Sequence, residues 1–311
     1  MPLVSVIVPT HNRCLLLGHT LRSVLAQRAV ELQVIVVDDG SSDATAQTVA
    51  GFADPRVVLL RNPHPLGVSH ARNRGIAAAD GDWIAFLDDD DLWAPDKLAS
   101  QLAAVSGVAR YWACGGAVTI TGALRIVAGG PPRPAEAIVA ELPVRNMVPA
   151  GASNVVAYRA ALAEAGRFDP RLRHMADWDL WIRLSRVGLP AVVRQPVVAY
   201  RLHPGNASAD TATISAELTL IAERYAELRQ GVPVDRAYAF RWAAWHLLRV
   251  GRRREAVQAY ARAVLAGDVA SAARALAALL HPGIARRRLR RHLPDPAWAA
   301  HAAEWLAQLG A

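Results

Sequence analysis

Four short apolar runs recur in the first ninety residues, at 4–8, 32–37, 57–60 and 83–87, each separated from the next by a longer segment. They are rich in β-branched residues and nearly free of polar ones, the pattern of strands buried on both faces. Two of the intervening segments have helical character. Leu15, Leu17, Leu21, Val24 and Leu25 recur at roughly helical spacing, and residues 70–79 are rich in alanine and arginine with only Gly75 against a helix. Strand alternating with helix implies right-handed crossovers and a mostly parallel sheet covered on both sides, an α/β fold of Rossmann-like type. Ligands of such sheets bind beyond the carboxyl ends of the strands.

Polar residues cluster at those ends. The first run leads into Pro9-Thr10-His11-Asn12, the second into Asp38-Asp39-Gly40-Ser41-Ser42-Asp43, and the fourth into Asp88-Asp89-Asp90-Asp91. Two carboxylates about 4 Å apart repel by roughly 1 kcal/mol in water and about 4 kcal/mol at the effective dielectric of a protein surface. Something must offset that repulsion. A solvated turn would do so, and so would a divalent cation, because hard cations take carboxylate oxygens and share them with substrate phosphates. No G-x-G-x-x-G follows the first run, which argues against a nicotinamide enzyme.

Beyond Pro95 the pattern loosens. Residues 111–127 read as a hairpin around Thr121-Gly122, 129–134 as a loop, 154–158 as a short strand and 160–165 as a helix ended by Gly166. An amphipathic helix follows at 175–188, then a strand at 192–200. From about residue 211 the chain reads as helix only, and Phe240, Ala244, Leu247, Gly251, Ala256, Tyr260 and Ala263 are spaced like one tetratricopeptide hairpin. One hairpin makes no solenoid, so a helical cap on the first portion is the simpler expectation. Charge divides the chain similarly: 15 of 35 basic but only 8 of 27 acidic residues lie in 211–311, which thus carries nearly all of the net +8. The division expected is 1–210 and 211–311.

Two cysteines, Cys14 and Cys114, fit a reducing compartment. No uncharged apolar stretch is long enough to span a membrane, and the opening residues show neither a basic leader nor a cleavage site. A cytoplasmic protein is expected. The arginine-rich run from Arg286 to Arg291 suits a solvated helix face or peripheral contact with the anionic inner face of a membrane. It lacks the interleaved aromatics and the accompanying fold that nucleic-acid binding would call for.

Four ordered motifs, SVIVPTHNR, VIVVDDGSSD, GVSHARNRGIAAADGDWIAFLDDDDLWAPDKL and ADWDLWIRL, resemble the family 2 inverting glycosyltransferases with the GT-A fold over roughly residues 3–205. The resemblance implies a nucleoside diphosphate sugar donor, a divalent cation (manganese or magnesium) on its diphosphate, and transfer with inversion. It assigns Asp88 and Asp90 to ribose and metal, with Asp90 first as the direct ligand and Asp89 sharing the ribose contact. It places Pro9, Thr10 and Asp39 on the base and ribose, Arg72 near the nucleotide and His203 near metal and diphosphate. Asp177 matches the acidic pair that supplies the general base, although Ala176 stands where its acidic neighbour is usual. Asp91 reads instead as a helix start and Asp38 as a partner of its own loop. Asp179, about 200° around the helix from Asp177 and four residues before Arg183, reads as a surface ion pair. Trp178 and Trp181 fit either an acceptor-facing wall or the core. The acceptor expected is a glycan or lipid-linked glycan. Two alternatives stand beside this reading: a nucleotide-sugar binder without turnover, and a haloacid-dehalogenase-type phosphatase, whose aspartate pair would normally follow the first strand.

Overall fold

A computed structural model describes residues 1–106, 110–206, 210–280 and 294–309. The four early runs form β1 (Leu3–Thr10), β2 (Glu31–Asp38), β3 (Val57–Arg61) and β4 (Trp83–Phe86), all parallel and ordered 3-2-1-4. Because the chain passes from one side of β1 to the other before β4, the topological switch point lies between the ends of β1 and β4. That places Thr10 and the acidic run side by side.

Beyond β4 the pairings change. β8 (Val156–Tyr158) runs antiparallel to β4 and to β6 (Trp112–Ile120); β6 pairs in parallel with β9 (Ala191–Arg201), which is antiparallel to β5 (Leu92–Trp93). β7 (Ile126–Gly130) closes the expected hairpin on β6, and claims two residues of the expected loop at 129–134.

In β1, β2 and β4 successive residues enter opposite cores, which is why these runs lack polar alternation; β3 is the sheet edge and is not buried on both faces as expected, with Val58 39% exposed. Ile7, Ile35, Val37, Ile84 and Phe86 face one core; Val4, Val6, Val8, Val34 and Val36 face the other. On the second face lie α1 (Cys14–Leu25) and α4 (Lys97–Val105). On the first lie α3 (Val68–Ala77), α6 (Arg159–Ala165) and α7 (Ala176–Val187). Gly75, the poor helix former of α3, is explained by that packing: a Cβ there would sit 2.4 Å from Ile7 Cγ2.

The helices after residue 210 join both faces. α8 (Thr211–Arg224) adds Ile214, Leu218 and Ile221 to the first core, and α12 (Pro296–Leu309) adds Ala302, Trp305 and Leu306 to the second. The indoles of Trp298 and Trp305 fasten α12 to β9, donating to the Arg194 and Pro196 carbonyls at 2.8 and 3.1 Å. Between them α9 (Arg236–Arg249) and α10 (Arg253–Leu265) form the anticipated hairpin around Ala244, Leu247, Ala256 and Tyr260, flanked by α11 (Ala270–Leu280). Two short helices, α2 (Thr45–Ala50) and α5 (Ala135–Glu141), are also present among the described residues. The run from Arg286 to Arg291 lies outside the described residues. No helix among the described residues is long and apolar enough to cross a membrane.

Candidate active site

The loops after β1 and β2 are knitted together at the switch point. Asp39 N–H donates to the Thr10 carbonyl at 2.8 Å, and His11 Nδ1 donates to the Asp39 carbonyl at 2.8 Å. Asn12, held at a positive φ of 53°, accepts from Ser42 N–H at 2.8 Å. The Asp39 carboxylate receives Asn62 Nδ2 and the amides of Leu66 and Gly67 at 2.6–3.1 Å, so it shapes the 62–67 loop. Asp38, as expected, serves its own loop, accepting from Ser41 N–H at 2.8 Å and pairing with Arg61 at 3.1 Å.

The four aspartates diverge, each with its own partner. Asp88 pairs with Arg72 at 2.5 Å, and Arg72 in turn lies over the Phe168 ring, 5.1 Å from its centroid. Asp90 is buried against Arg13 and accepts from His203 Nε2 at 2.8 Å. Gly205 N–H donates to Nδ1 of the same ring at 3.2 Å, which leaves the imidazole proton on Nε2, facing Asp90. Burial alone would raise Asp90, but the His203 hydrogen bond and the Arg13 charge hold its carboxyl below the usual range. Asp89, buried beside it, moves upward, first through burial and then through the charge of Asp90.

Asp91 corrects the sequence reading, because it starts no helix. β5 intervenes before α4, and Asp91 is fully buried, accepting from Ser153 Oγ at 2.6 Å and Arg201 N–H at 3.0 Å. Burial, then the charges of Asp90 and Asp88, raise it well above the ordinary carboxylate range. The repulsion anticipated in the run is thus dispersed by two guanidiniums and one imidazole, and by two hydrogen bonds to the innermost carboxyl. Ser153 Oγ also accepts from Asp88 N–H at 3.1 Å, tying both ends of the run to the loop before β8.

Asp177 opens the first turn of α7 and faces Asp88 across one cavity of about 510 Å³. Its Oδ1 accepts from Trp178 N–H at 2.7 Å. Burial raises its carboxyl to about 6, against the lowering effects of Arg72 and the Trp178 amide. Gly151 makes room for it: the backbone there is left-handed at φ 52°, and a Cβ would lie 2.5 Å from Asp177 Oδ2. Ala176, where the acidic neighbour is usual, is buried in the first core.

The frame around Asp177 is mostly long-range. No side chain caps α7 at Met175; Glu217 of α8 holds the loop that leads into it, accepting from the amides of Arg173, His174 and Met175 at 2.7–2.9 Å. Asp179 is fully buried and gathers Arg183 at 2.6 Å, Arg224 at 2.5 Å and Tyr225 at 2.7 Å, which corrects the expected surface pair. Trp181 is core, stacked on Trp112 with centroids 6.2 Å apart; Trp178 donates to the Leu142 carbonyl and shows one edge to the cavity.

The structure gathers Thr10, Asp88, Asp89, Asp90, Arg72, Asp177 and His203, all singled out in the sequence, around one rim, and adds Arg13, Ser153 and Glu217, which were not. Arg13 stands next to the polar rim cluster and could have been suspected from that position. For Glu217 the signal was weaker, a helix start at 175 with no capping residue of its own.

The profile of Glycosyl transferase family 2 matches residues 5–125. The amylovoran biosynthesis glycosyltransferase AmsB of Erwinia amylovora is 31% identical over 225 residues, covering 64% of this chain and 69% of that protein. The chain belongs to glycosyl transferase family 2. The succinoglycan biosynthesis protein ExoO of Rhizobium meliloti is 43% identical over 102 residues, and the UDP-Glc:alpha-D-GlcNAc-diphosphoundecaprenol beta-1,3-glucosyltransferase WfgD of Escherichia coli 41% over 100. These matches cover 33% and 32% of this chain, and span only 29% and 40% of the length of those relatives. Among solved structures, the mannosyltransferase PcManGT of Pyrobaculum calidifontis, in complex with GDP-Man and Mn2+, aligns over 98% of this chain and 87% of its own at 21% identity and a TM-score of 0.55. Residues 1–349 of TarS of S. aureus, with UDP-GlcNAc, align over 94% and 91% at 16% identity and a TM-score of 0.54. The fold is therefore that of the GT-A glycosyltransferases.

Proposed function

We propose that this chain is a metal-dependent inverting glycosyltransferase acting in bacterial cell-surface glycan synthesis. It moves a sugar from a nucleoside diphosphate sugar, with uridine diphosphate sugars first among the candidates, to a hydroxyl of a glycan or lipid-linked acceptor. The observation that carries this reading is that Asp88 of the acidic run and Asp177 of α7 open on the same cavity. The named activity of WfgD and the UDP-GlcNAc bound to TarS favour uridine; the GDP-Man of PcManGT keeps guanosine in play.

Residues 1–210 carry the chemistry in this reading and 211–311 cover it. Pro9 and Thr10 line the base side, Asp39 sets the loop that faces the ribose, and Asp88 and Asp89 take the ribose hydroxyls. Arg72, already beside Asp88, lies where a guanidinium suits a phosphate. Asp177 takes the proton of the acceptor hydroxyl as its oxygen attacks the anomeric carbon and the bond to the diphosphate breaks on the opposite face. A carboxyl raised to about 6 is well matched to that work near neutral pH.

Asp90 and His203 fit a divalent cation. Their facing atoms lie 2.8 Å apart, and the Arg13 guanidinium already bonded to Asp90 marks the spot as one that selects positive charge. Among the described residues no three His, Cys, Asp or Glu side chains form a complete cage. A partial site is what magnesium and manganese use when substrate phosphates supply the remaining oxygens. Bound there, the cation would neutralise charge on the departing diphosphate. Asp90 would be the first ligand to such a cation and His203 Nε2, 2.8 Å from it, the second.

Calorimetric titration of uridine, guanosine, thymidine and cytidine diphosphates, with and without manganese, on wild type and Asp90→Asn tests this. Metal-dependent binding of one nucleotide, lost in the variant, is expected; no binding of any with metal present would overturn it. A nucleotide-sugar binder without turnover would bind donor equally well in wild type and Asp177→Asn and transfer sugar in neither.

A further inference from the structure

The cavity that holds Asp177 is closed on its far side by helix α9, from the portion of the chain after residue 210. Tyr238, Ala239 and Trp242 line it, at helical spacings that put them on one face, with Tyr200 of β9 beside them. Tyr238 and Trp242 stay 40% and 38% exposed, although both are large aromatics next to an extensive core. Trp242 is braced from behind: its ring stacks on Trp245 at 5.1 Å with planes 16° apart, and Tyr200 lies 6.1 Å away. The facing floor, Ala117, Ala128, Gly129 and Gly130 of the β6–β7 hairpin, is made of small residues. Trp242 keeps a ring face open beside a floor without bulky side chains, and Tyr238 next to it carries the Arg145 guanidinium over its ring, 5.6 Å from the centroid, so the slot left for a flat ring is walled chiefly by Trp242 and edged by Tyr238.

Resting on the transferase reading above, we propose that Tyr238 and Trp242 form a sugar-stacking wall, and that the acceptor is a glycan with a pyranose ring beyond the one presenting the attacking hydroxyl. A pyranose carries weakly positive C–H groups on its faces, which suit the negative face of an aromatic ring, while its hydroxyls point to the edges. The cavity offers both surfaces, since Asn146, His174, Arg145 and Asp235 are interspersed with the apolar lining. At about 510 Å³ it falls among pockets that enclose a drug-sized ligand, larger than one sugar ring. A diphosphate fits this wall poorly, because Arg145 is already paired with Glu141 and lies 3.8 Å from Asp235.

Saturation-transfer NMR on the full chain, with cellobiose, diacetylchitobiose, mannobiose and maltose as probes, tests the wall without depending on turnover. At least one disaccharide should receive saturation from wild type and from Trp242→Phe, and lose it by at least tenfold in Trp242→Ala and in Tyr238→Ala. Gly130→Val is a second test that removes no aromatic. A Cβ at that position meets nothing within 4 Å, so the added methyls narrow the slot without a clash at Cβ, and disaccharide binding should fall. Melting curves confirm that each variant folds. No saturation of any disaccharide in wild type, or equal saturation in wild type and both alanine variants, would overturn the proposal. The calorimetric nucleotide titration, run on the same preparations, separates this result from failure of the transferase reading. Binding of nucleotide without any disaccharide sinks the wall alone; disaccharide binding without nucleotide sinks the reading of the donor site.

Discussion

The two sides of the site are built differently. On the proposed nucleotide side, Thr10, Asp39 and the acidic run sit at the ends of parallel strands; nearby turns hold Asp39, and Arg13, Ser153, Arg201 and His203 hold the run. On the proposed acceptor side, Asp177 depends on a helix whose leading loop is held by Glu217, whose flank is anchored through Asp179 to Arg224 and Tyr225, and whose cavity is closed by α9. Strand ends set the position of the first side, whereas helices after residue 210 frame the second.

Substituting Asp177 separates the sides most sharply. Asp177→Asn is expected to cut transfer by about 10²–10⁴-fold, the usual contribution of a positioned general base, and to leave nucleotide affinity unchanged. Loss of nucleotide binding in that variant would merge the two sides. Asp90→Asn is the mirror experiment: metal-dependent nucleotide affinity should fall at least tenfold while the melting temperature changes little, and unchanged affinity would remove Asp90 from the donor side.

Glu217→Ala probes the reliance of the acceptor side on the later helices. It strips the partner from three amides in the loop that leads into α7, an expected loss of about 3 kcal/mol in urea unfolding with turnover reduced more than nucleotide affinity. An unfolding midpoint within error of wild type would show that this loop does not rely on Glu217.

The smallest effects are those of pH. Asp177 must be ionised to accept a proton, so turnover at saturating donor should fall as pH drops through about 6. The same raised value means the folded chain binds this proton more tightly than the unfolded one. The charged group therefore costs stability above about 6, and costs nothing below the ordinary carboxylate range. Asp177→Asn should accordingly stabilise the protein by up to about 2 kcal/mol at pH 7.5 and not at pH 4. A variant less stable than wild type at pH 7.5 would contradict the raised value.

The parallel half of the sheet, its helices and the rim were legible because a strand buried on both faces leaves an unbroken apolar run, and because the polar residues at its end are adjacent in sequence. Gly75 and Asp91 show where that legibility stopped. Gly75 looked like a flaw in a helix until the contact with Ile7 explained it, and Asp91 looked like a helix start until the backbone buried it under β9. Sequence by itself determined which residues form the strands of the first half and which carboxylates stand at their ends, since periodicity and adjacency are local properties. Tertiary structure alone decided which aspartate is buried deepest, that Arg13 and His203 meet at Asp90, that Glu217 holds the loop leading into the helix of Asp177, and that α9 closes the cavity. Those depend on contacts between residues tens to nearly two hundred positions apart, which the spacing of residues along the chain does not encode.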